Sequence, residues 1–190
     1  MLRNPSLKLF RSTGYESILA PGETRMALHP GWMILAVSAW VGFACNVALW
    51  RALATGTGLS WAMATGTLVA AAVGTFLSLF GWRRTLKPVA SLMVLLAATL
   101  ACGIWTQSLP VNGQLMGKGA SALLPEWTSL LSWQAPTLLV VLALLPLLWV
   151  WQKQLRRLPG PTQLAANITG MVTGACVLAG IAFLLAVRPL

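Results

Sequence analysis

Five apolar stretches, each about as long as a bilayer is thick and almost free of charge, constrain the fold of this chain more than anything else in it. They lie at about residues 32–50, 61–82, 88–106, 135–151 and 163–187. At 1.5 Å per residue, roughly 20 apolar residues cross the hydrocarbon core as a helix, and a chain in lipid must satisfy its own backbone groups. The expectation is an all-α, polytopic membrane protein with five transmembrane helices. Composition agrees: 57% of the 190 residues are hydrophobic and 8% charged, whereas soluble domains carry roughly a quarter charged residues. Most connections are short. The loop from Gln107 to Gln134 is the one place with room to handle a substrate.

Charge orients these spans. Arg3, Lys8, Arg11 and Arg25, then Arg83, Arg84 and Lys87, then Lys153, Arg156 and Arg157 fall on one side, against Arg51, Lys118 and Arg188 on the other. By the positive-inside rule the N-terminus is cytoplasmic, while the long loop and the C-terminus face the opposite compartment. Residues 1–30 read as a basic cytoplasmic leader and residues 31–190 as the five-helix domain. The first apolar run starts too far in and is too long for a cleaved signal peptide. Trp32, Trp50, Trp61, Trp82, Trp105, Trp133, Trp149 and Trp151 fall near span ends, where an indole sits at headgroup level. Basic residues interleaved with spans set orientation and meet anionic lipid, so the net charge of +10 implies no nucleic-acid partner.

The acidic inventory is Glu16, Glu23 and Glu126, with no aspartate, and His29 is the only histidine. A carboxylate pair, a catalytic triad or a His/Asp metal cage cannot be built from such a set. Cys45, Cys102 and Cys176 lie in three different spans, with no paired spacing. Ala62, Gly66, Ala70, Gly74 and Ser78 give the second span a smooth face for close helix approach, and Ala166, Gly170 and Gly174 do the same for the fifth. Thr55 to Gly58 read as a turn, Pro88 opens the third helix, and Pro146 is placed to kink the fourth. Asn46 has two readings: an amide that packs against neighbouring helices, or one that faces a substrate. In the long loop, Asn112-Gly113 is a turn signal and Lys118 sits in a small-residue stretch. Pro125 and Glu126 look like a helix start, and the residues through Trp133 continue as an interfacial helix. Glu126 therefore either complements the positive end of that helix or faces a lipid ammonium group.

The order Ala44-Cys45-Asn46-Val47-Ala48-Leu49-Trp50, then Leu86-Lys87-Pro88-Val89 opening an apolar helix, then Glu126 followed by Leu130-Leu131-Ser132, resembles the N-terminal membrane domain of the phosphoethanolamine:lipid A transferases. The resemblance implies five transmembrane helices in the bacterial inner membrane, with a long periplasmic loop after the third. A periplasmic catalytic domain of alkaline-phosphatase type follows in that family. The implied activity moves phosphoethanolamine from phosphatidylethanolamine to a lipid A phosphate through a phosphothreonine and zinc. In its loop the family shows an aspartate, an asparagine, a threonine and a glutamate at fixed spacing, and these fall on Asn112, Lys118, Ala122 and Glu126. Only Glu126 matches. The nucleophile and zinc ligands belong to the catalytic domain, so the resemblance gives this truncated or split form no catalytic residue, no metal ligand and no cofactor of its own. Candidate substrate contacts are Glu126, Asn46, Asn112 and Lys118. Implied partners are phosphatidylethanolamine, lipid A and a separate catalytic domain. Two other readings stay open: a non-catalytic membrane partner of an intact transferase, and a small transporter or channel subunit.

Overall fold

In the computed structural model, residues 27–109, 124–125, 128 and 132–187 are described. Four helices are long and apolar enough to cross a membrane: α3 (Leu59–Leu79), α4 (Arg83–Thr106), α5 (Gln134–Gln152) and α6 (Gly160–Val187). Taken together as one broken span, α1 (Pro30–Ala44) and α2 (Val47–Thr55), which meet at a 51° bend, give a fifth. No strand occurs among the described residues. The chain is an all-α polytopic membrane protein, as the apolar runs imply.

Two helix pairs, α3 with α6 and α4 with α5, flank α1. Between α1, α4 and α5 lies the main core, where Met33, Val37, Leu86, Ala90, Val94 and Val150 are buried. On α3 the small residues do what their four-residue spacing suggests. Gly66 faces Gly42 of α1 so closely that a Cβ there would lie 2.8 Å from the Gly42 carbonyl oxygen, and Gly170 and Gly174 of α6 lie against Ser78 and Thr75. Backbone contact of this kind replaces the hydrophobic drive that lipid removes. The outer face of α6, with Ile168, Val172, Phe183 and Leu184, is exposed, as suits a lipid-facing surface.

The basic end of the bundle is tied together by backbone groups. Leu28 donates to the Gln154 carbonyl (2.7 Å) and accepts from the Arg156 N–H (2.9 Å), which joins the segment before α1 to the α5–α6 connection. Buried Gln163 donates both to the Gly81 carbonyl (2.8 Å) and to Asn167 (2.9 Å), so the turn after α3 is satisfied by polar side chains of α6. The Lys87 ammonium donates to the Trp151 carbonyl (3.3 Å) and lies 5.7 Å from the centre of its ring.

Two expectations change. The third helix begins at Arg83 and not at Pro88, which sits inside it. Trp82 turns the chain, and the Thr85 hydroxyl donates to the Phe80 and Trp82 carbonyls, so the first turns form from basic residues outside the apolar run. The first span, expected as one helix over 32–50, is broken at Cys45–Asn46. Most of the basic leader, and the loop positions Asn112, Lys118 and Glu126 with their expected interfacial helices, lie outside the described residues.

Candidate functional site

The break in the first span sits at the end of the bundle away from the basic loops, and its residues account for one another. The last turn of α1, Trp40–Ala44, is π-helical, and the Cys45 N–H returns to the Trp40 carbonyl (3.2 Å). Asn46 is extended (φ −86°, ψ 96°), and its side-chain oxygen accepts from the Leu49 N–H (3.2 Å), which starts α2. Asparagine is among the strongest residues for this position because its short side chain reaches the orphan donors of the first turn. Its amide nitrogen donates across to the Ala62 carbonyl of α3 (3.2 Å). Asn46 therefore caps α2 and ties it to α3 with a single side chain. The Ala44 carbonyl, left open by the break, accepts from the Trp50 indole (3.0 Å).

Arg51 follows one residue later. Its guanidinium donates to the Ile104 carbonyl (3.2 Å) and to the Leu109 carbonyl, at the C-terminal end of α4. A cation there complements the negative end of the helix dipole. Arg51 thus fixes the point where the chain leaves α4 for the long loop. Farther along, the Gln107 side chain donates to the Leu124 carbonyl (2.6 Å) and ties the start of that loop to a point well inside it.

Deeper in the bundle, a second π-helical turn, Val140–Leu144, faces the first. Pro146 has no N–H to return to the Leu142 carbonyl, and the Trp40 indole donates to that carbonyl instead (3.1 Å). Two cavities flank the break. One, of about 470 Å³, lies between α1–α2, α3 and α4, with Asn46, Trp61 and Thr65 toward the α2 end and Val69, Val73 and Met93 below. The other, of about 320 Å³, lies between α1–α2, α4 and α5 beside Trp50 and Trp105.

Of the four candidate contacts, the structure places Asn46, at the break and on a cavity wall. Glu126, Asn112 and Lys118 lie outside the described residues. Arg51 and Trp40 were not singled out by sequence. Their signals were a charge directly after an apolar run, and an indole in mid-span away from the headgroup belt. Among the described residues no three His, Cys, Asp or Glu side chains come together in a way that could hold a metal ion.

A family model described as phosphoethanolamine transferase EptA/EptB matches residues 68–188, more than half of the chain. The chain belongs to that family. No curated protein and no solved structure matches it. The EptA/EptB match runs from the middle of α3 through α6 and includes the whole of the long loop, whereas α1 and α2, with Asn46 and Arg51, precede it. This is therefore a membrane domain of a phosphoethanolamine transferase, with the connection between α4 and α5 inside the matched region.

Proposed function

We propose that this chain anchors a phosphoethanolamine transfer reaction at the bacterial inner membrane and presents phosphatidylethanolamine to a catalytic domain, on the same polypeptide or on a partner. The acceptor is lipid A. The observation that carries this reading is the EptA/EptB match across three spans and the loop between α4 and α5. Orientation rests on charge: Arg83, Arg84 and Lys87 share one end with Lys153, Arg156 and Arg157, which sets that end in the cytoplasm and the loop in the periplasm. Within the loop, Glu126 is the residue for a lipid ammonium group, with Asn112 and Lys118 earlier in the same loop. Phosphoryl transfer needs a nucleophile and groups that neutralise the developing charge. Three glutamates, one histidine and no aspartate do not supply them, so the chemistry and its zinc belong to the catalytic domain.

Mass spectrometry of lipid A tests this directly. Cells expressing these 190 residues alone should show no phosphoethanolamine adduct, and cells expressing them fused to a family catalytic domain should show one. An adduct from the chain alone, or a well-expressed but inactive fusion, would sink the proposal.

A further inference from the structure

Resting on that reading of lipid presentation, we infer that the cavity between α1–α2, α3 and α4 holds one acyl chain of a glycerophospholipid, with the phosphate of that lipid on Arg51. The two helices that frame it are joined by the short Phe80–Trp82 turn at the basic end, yet touch only sparsely beyond it. They open as a V whose back wall is the broken first span. The resulting space of about 470 Å³ runs from the level of Trp61 to that of Val73. Twelve residues of helix make that about 18 Å, close to one leaflet of a hydrocarbon core of roughly 30 Å.

Its chemistry changes along that length in the way a phospholipid does. Val69, Val73, Met93 and Ala97 line the deep part and offer only apolar surface. Asn46, Thr65 and Trp61 line the upper part, at the depth where the ester and glycerol oxygens of a lipid lie. Above them stands Arg51, whose carbonyl partner Ile104 is itself part of the cavity wall. Two of its donors go to backbone carbonyls, and a guanidinium has five. The remaining donors suit a phosphate, the group for which the planar fork of arginine is best shaped. Leu96 is 49% exposed and also lines the cavity, so it marks a side entrance from the bilayer.

The test uses the full chain in liposomes of phosphatidylethanolamine and phosphatidylglycerol, with a trace of phosphatidylethanolamine bearing a photoactivatable diazirine on one acyl chain. After illumination, adducts are mapped by mass spectrometry. Adducts should concentrate on Val69, Met93 and Leu96 over the lipid-facing Ile168 and Val172 of α6. Leu96→Trp narrows the entrance at an exposed site and should lower cavity labelling; Ala97→Phe fills the deep part and should do the same. Arg51→Gln should lower labelling by the phospholipid probe about tenfold, the loss expected with one charge-assisted hydrogen bond. The same variant should leave labelling by a diazirine diacylglycerol, which has no phosphate, unchanged. Labelling spread evenly over lipid-facing residues in the unsubstituted chain would overturn the site whatever the variants do. An equal fall of both probes in Arg51→Gln would overturn the phosphate contact. Transfer is not read out, so an empty cavity leaves the anchoring role standing. A filled cavity beside an inactive fusion removes that role and keeps the site.

Discussion

Asn46 is the residue on which the first span turns, because its amide serves as the cap of α2 and as the tie to Ala62 at once. Capping bonds contribute about 0.5–2 kcal/mol and hydrogen bonds between membrane helices about 0.6. Asn46→Ala should therefore destabilise the domain by about 1–2 kcal/mol, read as a lower midpoint of thermal unfolding in detergent. Asn46→Asp keeps the cap but loses the amide donor, so it should not rescue fully. Gly66 carries a second prediction at this scale. A methyl group there would meet the Gly42 carbonyl oxygen at 2.8 Å and the Asn46 amide nitrogen at 2.9 Å, and backbone cannot swing aside. Gly66→Ala should cost about 1–3 kcal/mol, whereas Gly180→Ala, with nothing within 4 Å, should be neutral or slightly stabilising in the same assay. The close approach at Gly66 was legible, since small residues every four positions have few other uses in a membrane helix. The role of Arg51 was not. A charge census treats it as a count against the prevailing asymmetry and has no means of showing that it ends up on the carbonyls of Ile104 and Leu109.

At the scale of elements, the broken first span is the feature that hydropathy hides. Ala44, Cys45 and Asn46 interrupt an apolar run without a proline or a glycine, and an average over a bilayer's width passes over one amide. The available signal was local: asparagine ahead of Val47, Ala48 and Leu49 is a helix-start pattern. Pro146 shows the reverse. A proline in mid-span was legible as a disturbance, yet its partner was not, because the freed Leu142 carbonyl is met by an indole distant in sequence. That pairing predicts a coupling. Trp40→Phe removes the donor and strands the carbonyl, which should cost about 1 kcal/mol. Pro146→Ala returns a backbone N–H to Leu142, so the cost of Trp40→Phe should shrink in its presence. A double-mutant cycle in detergent unfolding reads the difference. Strict additivity would mean that the indole does not stand in for the missing N–H.

For the whole molecule, class was legible because a bilayer admits few solutions: apolar runs of this length have to become helices. The arrangement of two helix pairs about α1 was not, since packing in lipid depends on which small-residue faces meet. Orientation is the molecular property that the sequence argues most directly. The basic end gathers Arg83, Arg84, Lys87, Lys153, Arg156 and Arg157, while Arg51, the described cation at the other end, is hydrogen-bonded to the terminus of α4. Orientation follows lysine and arginine in short loops near span ends, so that imbalance should hold the α3–α4 and α5–α6 connections in the cytoplasm. Five crossings then carry the end of α6 to the periplasm. Alkaline phosphatase, active only after export, should be active when fused after Leu190 and inactive when fused after Pro159 in the α5–α6 connection. A fluorescent protein that fails to mature in the periplasm should give the opposite pattern at the same two sites. Activity at both phosphatase sites would mean that α6 does not cross, and the reversed pattern would place the long loop, with Glu126, in the cytoplasm.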